Sequence, residues 1–263
     1  MAALSELLPA EAVRLGVPAG DWREAIRAAG ALLAETGCAT DAYTDEMVRN
    51  VEENGPYLVV APGFAFAHAR PSTAVLRTGM CWVRLARPVE FGHETNDPVT
   101  TVAGLAAEDA DAHRTAMAAL AGLLADPEAA AALDAADSAP AVHELLTVPG
   151  ALERSGNPGT RNAAGTPAAV HTILTVCGNG LGTSLFLKNT LEQVLDRWGW
   201  TRYVNVEATD TVSARGKASE AVAVFTSREI AGALGEVGVP VRTVHDFTST
   251  AEVDAVLRDT YDV

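Results

Sequence analysis

The sequence predicts an α/β protein in two parts: a mixed-sheet α/β sandwich, then a small doubly wound domain with a parallel sheet. Three observations predict it. Before residue 147, short apolar β-rich runs are interspersed with amphipathic helical stretches. After residue 170, β-rich runs alternate with helical stretches, the pattern of a parallel sheet covered on both faces. Between them, TVPGALERSGNPGTRNAAGTPAA has neither period and is rich in Gly, Pro, Ser, Thr and Asn, the composition of a flexible linker. The expected division is a domain over 1–146, a linker over 147–169 and a second domain over 170–263.

Each element follows from its own pattern. DWREAIRAAGALLAETG sets Trp22, Ile26, Ala29, Leu32 and Leu33 at helical spacing and stops at Gly37. DAYTDEMVRNVEENG is a second helix, ended by Asn54-Gly55 and followed by Pro56. YLVVA and FAFAHA, split by Pro62-Gly63, read as short strands, and TAVLRTGMCWVRLA and DPVTTVAGLAA as longer ones. DAHRTAMAALAGLLAD, PEAAAALDAA and SAPAVHELL are helices that close the first domain. In the second, HTILTV, YVNVEA, AVAVF and VRTV are strands. LGTSLFLKNTLEQVLDRW, SREIAGALGEV and STAEVDAVLRD are its helices.

Composition excludes several classes. With a net charge of −15 over 263 residues, the chain lacks the clustered Lys and Arg that nucleic-acid phosphates require. No apolar run approaches the ~18 residues of a membrane span. MAALSELLPAEAVRLG carries Glu6 and Glu11 and no basic leader, so a cytoplasmic protein is expected. Cys38, Cys81 and Cys177 are widely spaced and never form CxxC, which argues against a disulfide framework or a zinc knuckle. No ligand cluster calls for a metal, and no cofactor is expected. Residues 1–150 hold 21 acidic side chains against 9 arginines, a balance that favours encounter with a basic protein surface, or serves solubility alone.

Of the cysteines, Cys81 lies in the apolar run GMCWVRL and reads as a buried strand residue, whereas Cys177 opens CGNGLGTS. Gly178, Gly180 and Gly182, with Asn179 and Leu181 between them, let backbone N–H groups turn toward a tetrahedral anion. The helix starting near Leu181 to Ser184 adds partial positive charge, and Thr183 and Ser184 can donate hydroxyl hydrogen bonds. Both effects are expected to lower the thiol pKa. The plainer reading is a tight strand-to-helix turn with a packed cysteine. The loop resembles that of the low-molecular-weight tyrosine phosphatases, but Thr183 stands where their arginine would be. Without that guanidinium, hydrolysis lacks its clamp, and holding then handing on a phosphoryl group fits better.

A second nucleophile stands upstream. APGFAFAHARP puts His68 at the end of a short strand, with Arg70 two residues on. A lone histidine is more often structural. Here His113 opens a helix, where a neutral imidazole is favoured, Arg49 late in the second helix is a candidate phosphate clamp, and PVEFGHETNDPV is a polar loop of the type that builds sites.

On these motifs residues 1–146 resemble an enzyme IIA domain of the mannitol/fructose class of the sugar phosphotransferase system (PTS). Residues 170–260 resemble an enzyme IIB domain of the ascorbate/lactose class. CGNGLGTS, and FGH…NDPV with LAAEDADAH, are similar to the ascorbate-type branch. The resemblance implies a relay: a phosphohistidine carrier protein (HPr) charges His68, His68 passes the group to Cys177, and Cys177 passes it to a sugar held by a membrane permease subunit (enzyme IIC). It implies that His113 and Arg49 contact the phosphoryl group. The family motif usually ends in Pro-His, and Ala67 in place of that proline is expected to loosen the backbone before His68. His93 and Asn96 match polar positions of the family loop, or simply form a turn.

Two other readings stay open on the residues alone. One is a regulatory phosphoacceptor without sugar transfer. The other is a cysteine-dependent phosphatase or reductase in the second half, which Thr183 disfavours.

Overall fold

A computed structural model describes residues 4–124, 126–147, 171–177 and 182–263. The expected linker lies outside these residues, except that Thr147 ends a helix.

The first part is built on a five-stranded mixed sheet. In chain order its elements are α1 (Leu4–Leu7), β1 (Val13–Val17), α2 (Trp22–Glu35), α3 (Asp41–Asn54), β2 (Val59–Ala61), β3 (Phe64–His68), β4 (Gly79–Val89), β5 (Val99–Ala106), α4 (Ala110–Leu124), α5 (Pro127–Ala135) and α6 (Ala139–Thr147). The sheet order is β1-β4-β5-β3-β2. β3 runs parallel to β5, β4 antiparallel to it. Asp21 caps α2 by accepting from the Glu24 N–H, while the Glu24 carboxylate accepts from the Gly20 N–H, so two orphan donors are satisfied where the helix starts.

Strand alternation decides which way β3 looks. Ala65, Ala67 and Ala69 join the apolar cluster under α2 and α3, whereas Phe64 and Phe66 join the cluster on the opposite face, with α4. His68, two residues after Phe66, shares that second face. Gly104 of β5 lies in register with Ala67, and a Cβ there would meet Cys81 Sγ of the neighbouring β4 at 2.6 Å, so the cysteine packed across the strand pair requires glycine.

The second part is a four-stranded parallel sheet in the order β7-β6-β8-β9. Its elements are β6 (His171–Cys177), α7 (Gly182–Arg197), β7 (Val204–Asp210), α8 (Thr211–Lys217), β8 (Ala223–Thr226), α9 (Arg228–Leu234), β9 (Val241–Thr243) and α10 (Thr250–Tyr261). The order reverses between β6 and β8, and Cys177 stands at the carboxyl end of β6, beside that switch point, where doubly wound sheets hold ligands.

The two parts pack together. Phe66 and Phe186 sit ring to ring at 5.7 Å, and α4 lies against α7 within one continuous apolar cluster. The Phe247 N–H donates to the Val60 carbonyl at 3.1 Å, and Arg228 pairs with Glu94 at 2.9 Å across the seam. Among the described residues no single helix is long and apolar enough to cross a membrane.

The sequence expectations need four corrections. The strand expected from TAVLRTGMCWVRLA starts only at Gly79; before it, Val75 makes an isolated bridge to Ala39. β1, with two exposure-alternating arms and a glycine, carries too weak a pattern to be read. α8 has no counterpart among the expected helices: seven residues are too few for a helical period. And β3 pairs with β5 without a break through Ala67 and His68, so the ladder fixes the backbone that lacks the proline.

Candidate functional site

His68 is buried, and its Nδ1 lies 2.9 Å from the carbonyl oxygen of Phe66. A carbonyl can only accept, so Nδ1 carries the hydrogen and Nε2 keeps its lone pair. Burial holds the imidazole below its ordinary pKa, outweighing the opposing effect of that hydrogen bond. The group is therefore a neutral nucleophile with a defined tautomer.

His113 stands in the first turn of α4, its ring 5.3 Å from that of His68 at 65°. Burial first, and then His68, lower its pKa to about 3. Its Nδ1 is buried without a partner among the described residues. A polar atom in that position costs stability unless something binds it. The orphan fits an anion or hydroxyl arriving beside His68.

The chain beyond His68 is pinned by Tyr43, whose hydroxyl accepts from the Ala69 N–H at 3.0 Å and donates to the Leu105 carbonyl at 2.8 Å. Arg49 is exposed. It lines a cleft of about 280 Å³ together with Arg70, Asn50 and Ser72. His68 itself does not line this cleft, which reaches only its neighbour Ala69; two guanidiniums border it, and Glu46 and Glu53 on the same wall moderate their field.

Cys177 is buried, with Sγ 3.4 Å from the Ser184 hydroxyl oxygen. Thr183 and Ser184 are buried in the first turn of α7, and Thr175 Oγ1 ties the Ser184 carbonyl to β6 at 3.0 Å. Gly182 begins α7; Gly178, Asn179, Gly180 and Leu181 lie outside the described residues. The expected lowering of the thiol pKa is corrected by its surroundings. Desolvation raises it, and the hydrogen bonds from Ser184 and Thr183 offset only part of that rise. Cys81 is buried as expected, its thiol pushed up to about 12.

His93 and Asn96 form a turn and also reach the seam. Asp97 Oδ2 accepts from the Phe91, Gly92 and His93 N–H groups, and His93 Nδ1 accepts from the Thr95 and Asn96 N–H groups. Asn96 Nδ2 donates to the Val59 carbonyl at 3.2 Å and to the His245 carbonyl of the second part at 2.9 Å. Sequence reasoning missed Tyr57 and Asn50, which back His68. The only signal was position, Tyr57 directly after the Gly55-Pro56 helix stop and Asn50 next to Arg49.

A mixed-sheet unit with one histidine at a strand end and another at a helix start, joined to a parallel sheet with a strand-end cysteine, matches two family models. The model for the phosphoenolpyruvate-dependent sugar phosphotransferase system, EIIA 2, covers residues 6–148. The chain belongs to this family. Residues 172–259 match the lactose/cellobiose-specific IIB subunit of the same system, so the chain is a PTS component with both kinds of unit. It is similar to the ascorbate-specific PTS system EIIA component of Salmonella typhimurium strain LT2, 40% identical over 102 residues, which is 39% of this chain and 66% of that one. The corresponding component of Escherichia coli K12 is 38% identical over 104 residues, 40% of this chain and 68% of that one. Among solved structures, the mannitol-specific cryptic phosphotransferase enzyme IIA CmtB from Escherichia coli is 32% identical with a TM-score of 0.50, over 55% of this chain and 98% of that one. The first-matched curated relatives are thus spanned over 66% of their length.

Proposed function

We propose that this PTS protein relays a phosphoryl group from a phosphohistidine carrier protein to His68, then to Cys177, and then to a sugar held by a membrane permease subunit. The observation that carries the reading is the meeting of the two nucleophile-bearing elements at one seam: the Phe66 ring beside His68 packs on Phe186 of the helix that follows Cys177.

In the first step the lone pair of His68 Nε2 forms a bond to phosphorus as the donor's nitrogen–phosphorus bond breaks. His113 Nδ1, with no partner among the described residues, and the guanidiniums of Arg49 and Arg70 steady the phosphoryl oxygens. In the second step the Cys177 Sγ–P bond forms as the Nε2–P bond breaks. The thiol proton passes to the lone pair so freed, whose weak basicity returns it to water. The Gly178–Ser184 amides and hydroxyls hold the group there. The acidic first part, with Glu94 at the seam, suits basic partner surfaces. The names of the EIIA relatives make an ascorbate-like sugar acid the first substrate to test.

The test is carrier-dependent labelling from phosphoenolpyruvate, with uptake of labelled sugars measured alongside the matching permease. The intact protein should take label on both residues, and Cys177→Ser should keep acid-labile label on His68 only. His68→Ala should take none; appreciable carrier-dependent label on it removes His68 from the relay.

A further inference from the structure

Tyr57 precedes β2 and is 5% exposed, with its ring 6.2 Å from that of His68 and the two planes at 86°. A short chain of amides orients it. Asn54 Nδ2 donates to Asn50 Oδ1 at 2.9 Å, which turns Asn50 Nδ2 toward Tyr57. That nitrogen donates to the Tyr57 hydroxyl oxygen at 2.5 Å and to the His68 carbonyl at 3.4 Å. The phenol thus spends its acceptor capacity on Asn50, and its own O–H has no acceptor among the described residues.

A buried O–H donor without an acceptor is costly, on the order of 1–3 kcal/mol. Burial is the main influence on this phenol and keeps it protonated, and charge on the Cys177 sulfur also acts on it. Tyr57 is accordingly a fixed neutral donor that touches the histidine and is within electrostatic reach of the cysteine.

We propose that the Tyr57 O–H donates a hydrogen bond to the phosphoryl group in transit between His68 Nε2 and Cys177 Sγ, so that Tyr57 is a further catalytic residue, specific to the internal step. The inference rests on the relay reading. In a loose phosphoryl-transfer transition state charge lies on the equatorial oxygens, and a neutral donor fixed beforehand stabilises them without the desolvation cost of a further cation. Neither phosphorus–ligand bond involves the phenol, which keeps its proton throughout.

The experiment is a single-turnover measurement on the full chain, following label on His68 and on Cys177 separately. Tyr57→Phe keeps the ring on His68 and removes only the O–H. It should slow the passage from His68 to Cys177 on the order of 10- to 1000-fold, the range for losing one preorganised donor, and far more than it slows charging of His68. Equal slowing of both steps, or none of the second, overturns the proposal. Replacing Tyr57 by 3-fluorotyrosine, nearly isosteric and with its O–H intact, should keep the second step close to the parent rate. A fluorotyrosine variant as slow as Tyr57→Phe would also overturn the proposal. If wild-type Cys177 never takes label, the relay itself has failed, an outcome visible before any Tyr57 variant is made.

Discussion

Phe66 binds to both halves of the molecule: its ring lies 5.7 Å from that of Phe186 on α7, and its carbonyl oxygen is 2.9 Å from His68 Nδ1. The residue that orients the imidazole is therefore the residue on which the cysteine-bearing unit packs.

The first prediction concerns the modified nitrogen. Because Nδ1 donates to Phe66, the phosphoryl group should attach at Nε2. Long-range proton–nitrogen NMR correlations of freshly charged, labelled protein distinguish the two isomers. A predominant Nδ1 adduct would contradict the Nδ1–H tautomer of His68.

The second concerns pH. His113 has an ordinary pKa of 6.5 in the unfolded chain and about 3 in the fold. The unfolded state therefore binds the extra proton first. Stability from this group is intact above pH 6.5 and declines progressively as pH falls toward 3. Thermal unfolding followed from pH 7.5 to about 4.5 should show a shallower decline in His113→Gln than in the parent. Parallel declines would mean that His113 is not the buried neutral group described.

A third prediction separates the seam's polar contacts. Glu94 and Arg228 are more than half exposed, so their ion pair is worth ~0–1 kcal/mol. Asn96 is buried, and removing its amide leaves the Val59 and His245 carbonyls without that donor, costing about 1–3 kcal/mol. The Phe247 amide, whose hydrogen bond to Val60 crosses the seam, reports opening. Its hydrogen exchange should accelerate much more in Asn96→Ala than in Glu94→Gln. The reverse order would show that charge, not the buried amide, holds the halves together.

A fourth tests the packing behind the histidine strand. Gly104→Ala puts a Cβ at 2.6 Å from Cys81 Sγ, with Leu33 and Ala29 at 3.3 and 3.5 Å. Overpacking of this kind costs about 1–3 kcal/mol. Since only the sulfur lies below 3.0 Å, Cys81→Ala should relieve most of the strain. In denaturant melts the double variant should be more stable than the sum of the two single changes allows. Strict additivity would put the conflict elsewhere.

Much of the architecture is legible because long elements repeat their own signal. α2, α3, β5 and the β6–α7 unit follow directly from periodicity and from helix-ending glycines at 37 and 55. β1 and α8 are not legible, since five and seven residues hold too few periods to stand out. Within the site, His68, His113 and Cys177 can be nominated from residue type and position in a motif. Tyr57 and Asn50 cannot, because an apolar strand with a tyrosine at its start looks like ordinary core. The environment of the Cys177 thiol escapes the sequence for a related reason. A glycine-rich turn before a helix promises stabilised negative charge, while burial, which works the other way, is not written in the turn.

By itself the sequence determined that there are two α/β units, nominated a nucleophile in each, and showed that the loop after Cys177 lacks an arginine for hydrolysis. These are local properties, carried by side-chain chemistry and short-range spacing. Only the tertiary structure decided which nitrogen of His68 is free, that His113 Nδ1 has no partner among the described residues, that the thiol is desolvated, that Tyr57 faces His68, and that Asn96 meets the second unit. Each depends on groups far apart in the chain being brought within a few ångströms by packing, where loss of water changes both protonation and hydrogen bonding.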